Sequence, residues 1–293
     1  MDGDDRGDMS TPGYHWSGAE VDLDAYLARI GYTGERLPTV RTLRELHRRH
    51  TTTIPFENFE IILGRGIPLD LETVQDKLIR RRRGGYCYEH VTLFAAVLER
   101  LGFGVTGFVG RVVMGALGAP RPATHALLRV TTADDDRIWL CDVGFGSGPL
   151  EPYQLCDDIR EFRSGDWRFR LELTKGELGE DFWLLHQFGE DGWIVRYTFT
   201  TTPQYPIDYA VGNHYVSTSP RSPFTTRPYA QRFHPDRHVV VDGTTLTTRF
   251  PDGSAESTTI DPADLPKIVN ELFDIELDAT DVAALTQRWL IPK

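Results

Sequence analysis

Cysteine is scarce in this chain of 293 residues: Cys87, Cys141 and Cys156 are all it has. An odd, sparse set makes no disulfide framework, so a reducing compartment is expected. A metal site is not expected either, because Cys87 and His90 form one pair and no second CxxC-like pair appears. Positive charge is also short. The net charge of −11 argues against a general nucleic-acid partner and leaves the run Arg80 to Arg83 to be explained locally. Long apolar runs are missing, since Glu99, Arg100 and Arg111 interrupt the best candidate for a membrane span. The first residues, Met1-Asp2-Gly3-Asp4-Asp5, are acidic where a secretion signal is basic. These absences predict a soluble cytoplasmic protein with no nucleic-acid or membrane partner. No internal repeat or low-complexity tract is present.

What is there reads as an ordinary globular composition, 40% hydrophobic and 26% charged, with length for two or three domains. Residues 1 to about 20 are acidic, small and polar, and read as a disordered tail. Helical patterns follow at Leu23-Tyr26-Leu27-Ile30, at Leu43-Leu46-His47, and at Leu71-Val74-Leu78 behind the N-cap residue Asp70. After Gly102-Phe103-Gly104 the texture changes to short β-branched and aromatic runs: 105–114, 123–130, 137–142, 167–173, 182–187 and 193–198. Turn residues such as Asp134-Asp135-Asp136 and Asp191-Gly192 separate them, which predicts an antiparallel sheet or barrel. A connecting helix over 207–216, further strands over 227–260 and helix over 262–288 complete an α+β chain.

One stretch concentrates chemistry: Arg83-Gly84-Gly85-Tyr86-Cys87-Tyr88-Glu89-His90, opening the apolar stripe Leu93, Phe94, Val97, Leu98, Leu101. The two glycines allow positive φ and close approach of other groups. Cys87 then stands at a helix N-terminus, where unpaired N–H groups and the helix dipole favour a thiolate, the reactive form of cysteine. A buried core cysteine is the plainer reading of the same residue. A cysteine nucleophile needs a base and the base an orienting group. His125 in Ala123-Thr124-His125-Ala126-Leu127 and Asp142 in Cys141-Asp142-Val143-Gly144-Phe145-Gly146 lie on neighbouring predicted strands joined by the acidic turn. Spacing alone proves little: a lone histidine on a strand more often serves structure, and an aspartate before Val-Gly-Phe-Gly more often forms a turn.

Five segments, in order, resemble the arylamine N-acetyltransferase family: Ile54-Pro55-Phe56-Glu57-Asn58, Arg83 to Glu89, the His125 strand, Asp142 to Gly146, and Val216 to Phe224. The resemblance covers about residues 20 to 230. It implies three domains, a helical domain over 21–101, a β-barrel over 102–206 and an α/β lid over 227–293, the lid joined on by a linker helix and loop over 207–226. It implies a Cys87-His125-Asp142 triad and ping-pong transfer of an acetyl group from acetyl-CoA to arylamines, arylhydrazines or N-arylhydroxylamines. By the same resemblance Phe56, Tyr88, Phe145 and Phe224 line the acceptor pocket, and Thr124, Gly144, Gly146, Ser222 and Phe224 touch CoA. The plain alternatives are ordinary core for the first set and turn chemistry for the second. The implied partners are an amine acceptor and a CoA thioester, with no metal; nothing in the resemblance speaks to oligomeric state. Arg83 is expected to pair with Glu57 or Asn58. Val91 departs from the asparagine many family members carry there.

Three other readings use the same residues. An amide synthase closing a macrolactam from a carrier-bound acyl chain keeps the triad and is separated by release of free CoA from acetyl-CoA. A papain-like or transglutaminase-like hydrolase predicts peptide or glutamine turnover without acetyl transfer. A binding protein without activity predicts an unreactive Cys87.

Overall fold

The protein is described from a computed structural model, in which residues 14–116, 118, 121–176 and 178–289 are placed. The chain opens with α1 (Leu23–Arg29) and α2 (Val40–Thr53). The side chains of Asp22 and Thr39 cap them by accepting from Ala25 N at 3.0 Å and Thr42 N at 3.3 Å. On α2 the buried positions Leu43, Leu46, His47 and His50 fall on one stripe. A two-residue strand β1 (Phe56–Glu57) and a short α3 (Phe59–Ile62) follow. Asp70 caps α4 (Leu71–Gln75), which winds on as a wider, π-helical turn through Arg80. Arg82 then takes a left-handed φ of 53°, which ends the helix and turns Arg83 inward. The central α5 (Cys87–Arg100) is buried on nearly all sides along its first three turns.

The disordered tail expected to residue 20 needs correction at its inner end; residues 1–13 lie outside the described residues. Trp16 is buried and packs on Tyr209, and the Glu99 carboxylate accepts from Trp16 N at 2.9 Å and Gly18 N at 2.7 Å. Two aromatics, Tyr14 and Trp16, supply the apolar contact that the polar composition around them hides.

Eight strands form one antiparallel sheet curled into a nearly closed barrel: β2 (Gly104–Val112), β3 (His125–Thr131), β4 (Trp139–Cys141), β5 (Tyr153–Gln154), β6 (Arg160–Ser164), β7 (Trp167–Lys175), β8 (Asp181–Gly189) and β9 (Gly192–Phe199). Their order is β5-β4-β3-β2-β9-β8-β7-β6. The six runs expected from the sequence all appear; β5 and β6 do not stand out as apolar runs because β6 is mostly exposed and charged. After the barrel, α6 (Pro206–Thr218) is anchored by Tyr209, whose hydroxyl donates to Phe108 O at 3.0 Å and Leu127 O at 3.2 Å.

The last strands, β10 (Tyr229–Phe233), β11 (His238–Asp242), β12 (Thr245–Arg249) and β13 (Ala255–Thr259), make a second sheet covered by α7 (Leu265–Phe273) and α8 (Ala279–Trp289). Its first strand is β1, which pairs with β10 through Phe56↔Gln231 and Glu57↔Ala230. The helical segment therefore lends a strand to the C-terminal sheet, a long-range pairing that no local pattern reveals. No helix among the described residues is long and apolar enough to cross a membrane.

Between α1, α2 and α5 runs a fully buried polar chain. His90 Nε2 faces two carbonyl oxygens, Gly85 O at 3.1 Å and Pro55 O at 3.2 Å, so it carries the proton. His90 Nδ1 then accepts from His50 Nε2 at 2.8 Å, and His50 Nδ1 accepts from the Tyr26 hydroxyl at 2.9 Å. Each partner is satisfied only if both imidazoles are neutral. Burial holds them so, pushing His90 down to about 4 and His50 well below the ordinary histidine value.

Because these histidines are neutral when folded and protonate freely when unfolded, stability is lost as pH falls below about 6.5 toward 4, at about 1.4 kcal/mol per pH unit per histidine. His90→Gln should flatten the slope of unfolding free energy against pH in that window. An unchanged slope, measured by urea titration at several pH values, would count against the assignment.

Candidate active site

The start of α5 is locked to β1 before any side chain of the site is considered. Glu57 N donates to Gly85 O at 2.8 Å and Gly85 N to Pro55 O at 3.3 Å. A Cβ on Gly84 would stand 2.1 Å from Pro55 O, so no larger residue fits there. Neither Gly84 nor Gly85 takes a positive φ; close approach, not left-handed backbone, is what requires them. Arg83 pairs with Glu57 through Nη2 at 2.9 Å and Nε at 3.2 Å, and with Glu60 at 3.3 Å. Lys77 pairs with Glu89 at 2.7 Å, and the second Glu89 oxygen accepts from Tyr86 N, capping α5. Burial disfavours the ionised Glu57, but Arg83 and Lys77 outweigh it and hold its carboxyl below the ordinary range. Asn58 does not meet Arg83. It donates to Phe224 O and Arg227 O and accepts from Tyr229 N at 2.7 Å, tying β1 to the segment after α6. Arg80 and Arg81 pair with Asp76, and Arg82 with Asp274, on the surface.

Cys87, the first residue of α5, is 6% exposed, and its Sγ lies 3.7 Å from Thr124 O. His125 opens β3 and Asp142 directly follows β4. The register Leu128↔Cys141 carries Asp142 to a place opposite Leu127, on the same face as His125. His125 Nε2 stands 3.1 Å from Asp142 Oδ2, and Cys87 makes the other polar contact of the ring. Burial opposes a charged imidazole here, but the Asp142 carboxylate and Cys87 overcome it and push His125 up to about 10. The ring is further fixed by Phe145 at 5.1 Å and Tyr197 at 4.9 Å between centroids. The three residues that the sequence singled out are thus brought together in one buried cluster.

Two other residues of this cluster escaped the sequence reading. His47 of α2 accepts from Asp142 N at 3.1 Å and donates through Nδ1 to Leu150 O at 2.9 Å, which fixes it as the neutral Nδ1–H tautomer. Burial lowers it to about 4. Its place on the apolar stripe of α2 made it look like core. Tyr197 of β9 packs on His125 and Phe145 and shares a hydrogen bond with Tyr153 at 2.9 Å. Only the barrel order brings it there.

The remaining expected site residues divide. Gly144 lies against Cys87, where a Cβ would come within 2.7 Å of Cys87 Cα, and Gly146 lies against Gln231 with φ of 80°. Ser222 is buried and accepts from Phe224 N, capping its own turn. Phe56 and Phe224 meet at 5.6 Å beside Tyr86 and Tyr229. Tyr88 is 1% exposed and turned away against α6, where a Cβ on Gly212 would clash with its hydroxyl; it packs on Tyr209 and Tyr86. Cys141 and Cys156 are free thiols, the first fully buried. Val91 is core, and the polar ties at this helix start come from its neighbour His90. Among the described residues no group of three or more His, Cys, Asp or Glu is arranged to hold a metal.

The family model described as N-acetyltransferase matches residues 39–282. The chain belongs to the arylamine N-acetyltransferase family. The crystal structure of the Nocardia farcinica arylamine N-acetyltransferase is 69% identical over 94% of this chain and 97% of that one, with a TM-score of 0.91. The arylamine N-acetyltransferase of Escherichia coli is 35% identical over 87% of this chain and 89% of its own length. The Mycobacterium marinum arylamine N-acetyltransferase, whose structure is a complex with CoA, is 34% identical over 91% of this chain and 98% of that one, with a TM-score of 0.83. This protein is an acetyl-CoA-dependent acyltransferase.

His125 has a folded-state pKa of about 10 against an ordinary 6.5. The stabilisation from its pairing with Asp142 is therefore fully present below pH 6.5 and lost as pH rises through about 10. Asp142→Asn should lower the melting temperature near pH 6.5, and the gap to the wild type should close toward pH 10. A gap that stays constant over this range would remove the ion pair as its cause. His47→Phe should cost about 1–3 kcal/mol in urea unfolding by leaving Asp142 N–H unpaired, and His47→Gln less.

Proposed function

We propose that Cys87, His125 and Asp142 carry the acetyl transfer of this family in two steps. The observation that supports this most directly is the imidazole of His125, held between Asp142 and Cys87 and pushed up to about 10. In the first step the Cys87 sulfur attacks the thioester carbonyl of acetyl-CoA. The carbon–sulfur bond to CoA breaks, and the departing thiolate takes the proton from His125, leaving acetyl-Cys87 and a neutral imidazole. In the second step the acceptor nitrogen attacks the acetyl carbonyl. His125 takes the proton that the nitrogen loses, Cys87 leaves as thiolate, and the starting charge pair is restored. Asp142 keeps the ring in one orientation through both steps.

The oxyanion of each step needs N–H donors. Cys87 N belongs to the first turn of α5, whose N–H groups have no intrahelical partner. Thr124 O lies against the Cys87 sulfur and Gly144 against the Cys87 backbone, and we read the backbone at 124 and 144–146 as the bed of the thioester. Phe145 and the Phe56–Phe224 pair supply flat apolar walls for an aryl ring. Tyr88 serves α6 instead. An aromatic amine suits such a site because its low basicity leaves it uncharged near neutrality; arylhydrazines and N-arylhydroxylamines share that property. Three free thiols and the absence of a disulfide among the described residues suit the cytoplasm.

Intact-protein mass after incubation with acetyl-CoA should show one acetyl adduct that disappears as an added arylamine becomes acetylated. Cys87→Ala should form no adduct while keeping its circular dichroism, with turnover reduced by about 10⁴-fold or more. Substantial turnover by the folded variant would sink the mechanism.

A further inference from the structure

The eight-stranded sheet does not close on itself. Its edge strands are β5 and β6, and side chains bridge the seam between them where a closed barrel has backbone pairs. Tyr153 stacks on Phe162 with ring centroids 5.2 Å apart, Arg160 Nη1 donates to Gln154 Oε1, and Glu151 N donates to Ser164 Oγ at 3.2 Å. Along this seam lies a cavity of about 170 Å³, whose wall is completed by Arg44 of α2, by Arg137 and by Trp139 of β4. Cys87, His125 and Asp142 do not line it.

The lining is sorted by depth. Trp139 and Tyr153 are buried and Phe162 is half-buried, whereas Arg44, Arg137, Arg160 and Arg163 are exposed. The charges do not balance. Arg44 shares the Glu151 carboxylate with Arg48, and Arg137 Nε donates to Asp135 at 2.7 Å. Both Arg44 and Arg137 also lie over the Trp139 ring, at 5.2 and 5.0 Å from its centroid. Among the described residues neither Arg160 nor Arg163 pairs with a carboxylate, and Arg160 meets only the Gln154 amide. Asp157 and Asp158, in the turn before β6, do not line the cavity. Four arginines thus share the wall with one acid, Glu151, in a chain whose net charge is −11. The indole N–H of Trp139 is buried and has no partner among the described residues, a donor that costs stability until an acceptor meets it.

Charge and size together define the ligand. Two arginines without carboxylates match two negative charges, which a single phosphate monoester carries near neutrality. Guanidinium groups suit phosphate oxygens through paired N–H donors. An apolar cavity of about 150 Å³ admits benzene. One of about 170 Å³ walled by Trp139, Tyr153 and Phe162 therefore takes a body of about one ring. We propose that the seam between β5 and β6 is a second binding site, taking a small phosphate monoester with its ring-sized body against the aromatic wall and its phosphate on Arg160 and Arg163. The site is separate from the acetyl-transfer centre and takes no part in its bond-making steps.

Titration calorimetry of the full-length protein with phenyl phosphate at about pH 7.5, where the phosphate is mostly a dianion, should show one saturable site. Inorganic phosphate lacks the ring and benzoate lacks the second charge; each should bind about tenfold more weakly or worse. Arg160→Gln and Arg163→Gln should each weaken phenyl phosphate by about fivefold or more and leave the KM for acetyl-CoA unchanged. Absence of saturable binding, equal affinity for the three ligands, or undiminished binding by either folded variant would overturn the site. Full displacement of phenyl phosphate by acetyl-CoA, or a raised KM for acetyl-CoA in the variants, would assign the anion to the donor site and overturn it as well. Should neither variant fold, the order of the three ligands on the wild type, with acetyl-CoA as competitor, decides alone.

Discussion

The buried pairing of Arg83 with Glu57 is the contact on which the rest of the site depends. It joins two loops, one that begins α5 and one that begins the C-terminal sheet. Neither charge tolerates solitary burial, and breaking such a pair from one side is generally worth about 3–5 kcal/mol. The backbone follows the charges. Gly85 and Pro55 exchange hydrogen bonds with the opposite loop, and Gly84 allows the loops to meet at carbonyl contact. The start of α5, and with it Cys87, is placed by this junction and not by helix propensity.

Two buried histidine arrangements extend the junction outward. Tyr26, His50 and His90 carry hydrogen bonds in one direction from α1 through α2 to Gly85 and Pro55. His47, one turn before His50 on α2, holds the backbone of Asp142. A single helix therefore steadies both the loop before Cys87 and the backbone of Asp142. These histidines must be neutral, whereas His125 is pushed the other way. The same residue type serves two tasks, and the difference is the neighbour: carbonyls and hydroxyls for the structural ones, a carboxylate and a thiol for His125.

The aromatic residues around the cluster divide the labour in a comparable way. Phe145 and Tyr197 clamp the imidazole, Phe56 and Phe224 meet across the β1 junction, and Tyr88 with Tyr209 anchors the linker helix. Tyr88 faces α6 for a simple reason. Adjacent residues on a helix point about 100° apart, so if Cys87 faces the barrel, Tyr88 must face another neighbour, which here is α6.

Much was legible in the sequence because the signals are local. The cap at Asp70, the apolar stripe of α5 and the short β-branched and aromatic runs of the barrel follow from short-range sterics and periodicity. The candidates Cys87, His125 and Asp142 were visible as residue types in suitable places, and the resemblance of five ordered segments drew them together. The tertiary structure alone decided that β1 leaves the helical segment to pair with β10, that Trp16 is core, and that His47 and Tyr197 reach the cluster. Each of these depends on contacts across many tens of residues, where chain connectivity and the register of distant strands choose the neighbour and no local preference encodes it.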